Sequence, residues 1–156
     1  AATRHAVTKV MVELNRSAAE AAMEVGVHAM TDVTGFGLLG HLGELCLASH
    51  VNARIQMSSV PLIPGARQAL ARGGCPAGTK RNLSHVQSRC RFEGCGDDDK
   101  LLLADAQTSG GLLIAVSEDR TEALLQALDR AGVEGAARVG SLSGEDEAFQ
   151  MCISKK

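Results

Sequence analysis

Tryptophan and tyrosine are absent from this 156-residue chain, and phenylalanine occurs only three times, at Phe36, Phe92 and Phe149. So few rings cannot build a base-stacking platform for single-stranded nucleic acid. A basic excess is missing too. Sixteen Lys and Arg face eighteen Asp and Glu, a formal charge of −2. No positive field is available for nucleic acid or an anionic membrane surface. No apolar run reaches the roughly 18–20 residues of a membrane-spanning helix. The opening Ala1-Ala2-Thr3-Arg4-His5 has neither the apolar stretch of a signal peptide nor an initiator methionine. These features predict a cytoplasmic chain without nucleic-acid or membrane partners, cut from something longer.

Cysteine is present in an odd number, at Cys46, Cys75, Cys90, Cys95 and Cys152. Only Cys90 and Cys95 lie close together, and a zinc site wants tighter pairs with further ligands. The spacing predicts reduced thiols, with Cys46 in the core. What remains is ordinary globular composition, 45% hydrophobic and 22% charged, enough for one domain with a core.

Met11, Leu14, Ala18, Ala21 and Val25 recur at helical spacing, which predicts one amphipathic helix over 8–25, stopped by Gly26. Val27 to Val33 reads as a strand, broken by Thr34-Gly35-Phe36-Gly37. A helix over 38–49 follows. Val51, Ala53, Ile55 and Met57 alternate with polar residues, as in a half-buried strand. A short helix over 65–72 ends at Gly73-Gly74. Residues 73–100 hold glycine, proline, the basic pair Lys80 and Arg81 and the acidic run Asp97-Asp98-Asp99, and read as a mobile surface loop. Leu112 to Val116 reads as a buried strand, and 118–131 as a helix with Leu124, Leu125 and Leu128 inward. Residues 137–142 and 148–153 read as closing strands, joined by a hairpin turn at Ser143-Gly144-Glu145-Asp146. The sum is an α+β fold, a layered α/β/α domain with a mixed sheet of about five strands.

The chemistry concentrates in Thr31-Asp32-Val33-Thr34-Gly35-Phe36-Gly37-Leu38-Leu39-Gly40-His41. Asp32 stands near the end of a predicted strand. Two glycines let the backbone turn tightly and approach a ligand. A helix starts directly after, and its free N–H groups favour a phosphate. A carboxylate beside such a turn can hold magnesium, which takes a few oxygens plus phosphates and water. It can equally be a plain helix cap, worth about 1 kcal/mol. No Gly-Lys-Ser/Thr follows, so the turn is not a P-loop. His41 lies in the helix and reads as a packed or hydrogen-bonded residue rather than a base.

That segment resembles the signature of the selenophosphate synthetases (selenide, water dikinases), within the superfamily that includes aminoimidazole ribonucleotide synthetase. Gly78-Thr79-Lys80-Arg81-Asn82-Leu83 resembles the family's central loop. Asp105-Ala106-Gln107-Thr108-Ser109-Gly110-Gly111-Leu112-Leu113 resembles the superfamily's second glycine-rich turn, departing at Ala106, where relatives usually have proline. The resemblance covers about residues 10–142 and implies the fold of the carboxy-terminal domain of aminoimidazole ribonucleotide synthetase. It implies an enzyme that uses ATP and magnesium to convert selenide and water into selenophosphate, AMP and phosphate. It assigns Asp32 to magnesium, with Thr31, Thr34, Gly35 and Gly37 shaping the turn near the nucleotide phosphates.

The family's amino-terminal domain, which carries its reactive cysteine or selenocysteine, has no match here. The resemblance therefore implies no catalytic residue in this chain, a fragment inactive alone, and partnership with that domain in a homodimer. The alternatives are another ATP-dependent member of the superfamily, or a non-catalytic nucleotide-binding or interaction module of the same fold.

Overall fold

The computed structural model describes residues 2–144 and 150–156. The chain begins with two helices, α1 (Ala2–Val12) and α2 (Arg16–Val25), rather than the single helix its spacing predicts. The break comes at Asn15, whose side-chain amide donates to the Gly110 carbonyl at 3.1 Å. The apolar stripe runs through the break unchanged, so periodicity cannot reveal it. Met11 and Leu14 stay on the surface, 43% and 76% exposed. Gly26 ends α2 as expected, with φ at +81° and its N–H bonded to the Ala22 carbonyl.

Strand β1 (Ala29–Asp32) pairs antiparallel with β4 (Leu112–Ala115), Asp32 opposite Leu112. This two-stranded ribbon carries α2 and α7 (Thr121–Arg130). Ala18, Ala21 and Ala22 of α2 meet Leu124, Ala127 and Leu128 of α7 in a small core. The small alanine side chains let the two helices approach closely. β4 is half-buried rather than buried, because a ribbon of two strands leaves part of its surface uncovered.

The larger core sits on a four-stranded sheet. Helix α3 (Gly37–Ser49) lays Leu39, Leu42 and Cys46 against Ala53 and Ile55 of β2 (Val51–Gln56) and against Met151 and Ile153 of β6 (Met151–Ser154). The strand order is β3, β6, β2, β5, with β3 being Cys90–Glu93 and β5 Gly140–Gly144. β6 runs parallel to both β2 and β3, and β5 runs antiparallel to β2. The closing strands are therefore not a hairpin pair; they flank β2 on opposite sides. The predicted turn residues Glu145 and Asp146 lie outside the described residues.

The α+β class holds, with the strands divided between a mixed sheet of four and a ribbon of two. Residues 73–100 correct the sequence reading most. After the short α4 (Ala66–Ala71), they form α5 (Ala77–Val86), β3 and the start of α6 (Asp97–Leu103). The acidic run is the first turn of α6, where unpaired N–H groups favour carboxylates. Asp99 accepts from the Gly96 N–H at 3.2 Å and from the Arg67 guanidinium of α4 at 2.8 Å.

Candidate functional site

Three segments separated in sequence meet around the end of β1. The Val33 N–H donates to the Gly111 carbonyl at 3.0 Å, continuing the β1–β4 ladder into both glycine-rich turns. The Thr34 carbonyl accepts from the Gly37 N–H at 3.0 Å and from the Gln107 N–H at 3.1 Å. Both acceptor positions of that oxygen are thus used, one within its own turn and one across to the other turn.

The third segment is helical, not the loop the sequence suggested. On α5, Thr79 and Asn82 are three residues apart and share a face. Asn82 Nδ2 donates to the Gly35 carbonyl at 2.8 Å and to the Ala104 carbonyl at 3.1 Å. Thr79, 1% exposed, donates its hydroxyl to Asp105 Oδ1 at 2.7 Å. Gln107 Nε2 donates to Asp105 Oδ2 at 2.9 Å, so both carboxylate oxygens are occupied. The Ala106 N–H donates to Thr79 Oγ1 at 3.3 Å, a bond that proline at this position could not make. Lys80 and Arg81 lie exposed on α5.

Two glycines are fixed by close approach. Gly37 has φ at +71°, and a Cβ there would lie 2.6 Å from the Ala104 carbonyl carbon. A Cβ on Gly110 would lie 2.3 Å from the Val33 oxygen. Around Gly35, by contrast, no atom would lie within 4 Å of an added Cβ. Its side of the turn faces open space.

Asp32 is exposed at the end of β1, and its carboxylate makes no hydrogen bond or ion pair among the described residues. The capping alternative is not realised: α3 has Phe36 at its N-cap and no side-chain cap. Thr31 turns its hydroxyl towards the Asp32 carbonyl at 3.4 Å. Thr34 Oγ1 lies 3.1 Å from Nε2 of His41, which bears out the hydrogen-bonded reading of that histidine. Phe36, 62% exposed, rests against the His41 ring at 5.6 Å between centroids.

As a donor set for magnesium, the turn offers one hard, free carboxylate. No group of three or more His, Cys, Asp or Glu side chains that could hold a metal ion occurs among the described residues. That fits an ion held by one protein oxygen and completed by phosphates, water and groups from elsewhere. It does not fit a closed protein cage. A cavity of about 1430 Å³ is lined largely by apolar side chains such as Leu42, Ile55, Leu113 and Leu128, and Asp32 does not line it. Asp32 and Gly35 lie exposed on the surface.

Sequence reasoning grouped Thr31, Asp32, Thr34, Gly35 and Gly37 around one turn; in the structure Thr31 and Asp32 end β1, Thr34 and Gly35 form the connection, and Gly37 opens α3. It missed the structural parts of Thr79, Asn82 and Asp105. The available signal was the pair of polar residues at helical spacing, Thr79 and Asn82. All five cysteines are free thiols, with Cys46 fully buried as expected.

Over 143 residues the chain is 45% identical to a selenide, water dikinase of Carboxydothermus hydrogenoformans, covering 91% of this chain and 41% of that protein. It is 43% identical over 145 residues to a selenide, water dikinase of Porphyromonas gingivalis, covering 92% and 41%. The chain thus spans about two fifths of the length of the curated relatives it matches. Among solved structures, that of the hydrogenase maturation protein HypE superposes with a TM-score of 0.53 at 25% identity, over 85% of this chain and 34% of that one. Residues 2–151 match the family described as AIR synthase related protein, C-terminal domain, and the chain belongs to that family.

Proposed function

We propose that this chain is the carboxy-terminal, nucleotide-closing domain of a selenophosphate synthetase. The reaction is the ATP- and magnesium-dependent conversion of selenide and water into selenophosphate, AMP and phosphate. The observation that carries this reading is the free, exposed Asp32 carboxylate beside the uncapped start of α3. The similarity to selenide, water dikinases across nine tenths of the chain supports it.

Phosphoryl transfer is mostly positioning and charge neutralisation. Magnesium, when bound, supplies the charge that offsets the nucleotide phosphates. Asp32 is the residue that would hold it, and the start of α3 would favour the same phosphates through its N–H dipoles. The open side of Gly35 lets a phosphate approach the backbone. The two glycine-rich turns, tied by Asn82 and Gln107, keep these groups at fixed separation.

One carboxylate and a turn do not clamp a triphosphate. The amino-terminal domain supplies the reactive cysteine or selenocysteine and the other magnesium ligands, and this domain closes over the nucleotide. The intact enzyme is a cytoplasmic homodimer. The present chain alone binds the triphosphate weakly and does not turn over.

The test is phosphorus NMR of ATP, magnesium and selenide incubated with the full-length polypeptide and, separately, with this chain. Selenophosphate and AMP from the full-length protein, and none from the chain, are expected. Turnover with a different nucleophile but not selenide would move the assignment to another branch of the superfamily. Robust AMP release by the chain alone would contradict the division of labour.

A further inference from the structure

The Thr34–His41 pair has a direction, and it bears on how the turn meets an anion. This inference rests on the reading of the turn as a phosphate-facing site. The Thr34 backbone is held on both sides, by Gly37 and by Gln107. Its hydroxyl does not cap α3. It points instead to the imidazole of His41, with 3.1 Å between Oγ1 and Nε2. That ring is half-buried, one turn into α3, and Phe36 covers it at 5.6 Å.

A threonine hydroxyl has one proton and two acceptor positions, and an imidazole nitrogen either donates or accepts. If His41 Nε2 is bare, the Thr34 proton is spent on it, and Thr34 turns lone pairs towards the open side of the turn. If Nε2 carries hydrogen, His41 donates to Thr34, and the hydroxyl proton is free to point outwards. Only the second arrangement suits an anionic ligand, to which a hydroxyl gives a charge-assisted hydrogen bond.

We infer that His41 is a positioning residue: its Nε2–H donates to Thr34 and so keeps the Thr34 hydroxyl a donor to a phosphoryl oxygen of the nucleotide. His41 itself does not touch the ligand. Glutamine, whose terminal amide nitrogen can take the place of Nε2 as a donor, should stand in for it.

Two measurements test this. In the full-length polypeptide, His41→Ala and Thr34→Val should each raise the KM for ATP roughly tenfold or more, the loss expected for one charge-assisted hydrogen bond. His41→Gln should recover most of that loss. The double variant should be no worse than either single one, because both remove the same bond. Additive losses, no recovery by His41→Gln, or a lower Tm with KM unchanged would make His41 a packing residue only. Independently of activity, nitrogen-15 NMR of this chain reports which ring nitrogen of His41 carries hydrogen. A protonated Nε2 is expected, and a bare Nε2 overturns the inference. A parent that forms no AMP would count against the synthetase assignment, while the NMR result would still decide the hydrogen bond's direction.

Discussion

Asn82 and Gly35, 47 residues apart in sequence, are joined by a 2.8 Å hydrogen bond whose donor nitrogen also reaches the Ala104 carbonyl at 3.1 Å. One amide thus ties the turn after β1 to the end of α6. Replacing Asn82 by alanine leaves the part-buried Ala104 carbonyl without that donor and turns the exposed Gly35 carbonyl to water. The expected cost is about 1–3 kcal/mol. The Tm should fall by roughly 3–9 °C, and hydrogen exchange should accelerate at Gly37 and Gln107, which bond to Thr34. An unchanged Tm with unchanged exchange in both turns would show that the bridge is dispensable.

The two glycines of the signature turn should behave differently. Gly37→Ala puts a side chain in the left-handed region and into the Ala104 carbonyl. A loss of roughly 2–5 kcal/mol is expected, from backbone strain and overpacking together. Gly35→Ala meets open space and should change stability by less than about 1 kcal/mol, if anything upwards. If a phosphate approaches this backbone, Gly35→Ala should nonetheless weaken ATP binding by the full-length protein. Thermal melts paired with ATP titrations separate the two effects.

Asp99 should set the acid limit of the fold. It is buried, and the Arg67 guanidinium holds its carboxyl below the ordinary 3.8, with the Gly96 N–H helping. The folded state therefore binds this proton less readily than the unfolded chain. The resulting stabilisation is complete above about pH 5 and is lost as pH falls below 3.8 through the depressed value. Asp99→Asn should remove part of that acid dependence and cost about 2 kcal/mol at pH 7. Urea midpoints measured from pH 3 to pH 7 test this; parallel curves for parent and variant would contradict it.

Thiol reactivity should sort by burial. Burial pushes the Cys46 and Cys90 thiols up to about 11. At pH 8 their thiolate fraction is on the order of 10⁻³, so both should resist iodoacetamide. Cys75, partly exposed, should be labelled ahead of them. Peptide mapping by mass spectrometry reads the order directly, and early labelling of Cys46 would mean that the α3 core opens readily.

These contrasts show which parts of the molecule were legible in sequence. The turn over 34–37 was visible because glycine and threonine act locally, and Gly26 and Gly73-Gly74 marked helix ends for the same reason. The break before Arg16 was invisible, because Asn15 bends the chain to reach Gly110, a partner 95 residues away. Asp97-Asp98-Asp99 looked like a solvated charge run, yet it starts a helix. Its meaning depends on N–H groups that exist only once α6 forms. The parallel pairing of β6 with β2 and β3 was illegible, since alternation fixes which face a residue takes but not which strand lies beside it. The same limit hid Thr79 and Asn82, whose partners are carbonyls and a carboxylate brought close only by the fold.

The most direct test of the central claim is AMP formation from ATP, magnesium and selenide by the full-length polypeptide and its Asp32→Asn variant. Asparagine keeps the size and removes the charge that would hold magnesium. The Asp32 carboxylate has no partner to lose among the described residues, so the variant should melt within about 1 kcal/mol of the parent. A parent that turns over and a folded variant that loses activity by roughly a hundredfold or more are expected, as for a charged ligand lost at the transferring phosphate. A variant as active as its parent would contradict the magnesium role of Asp32 and reduce it to a residue of the turn.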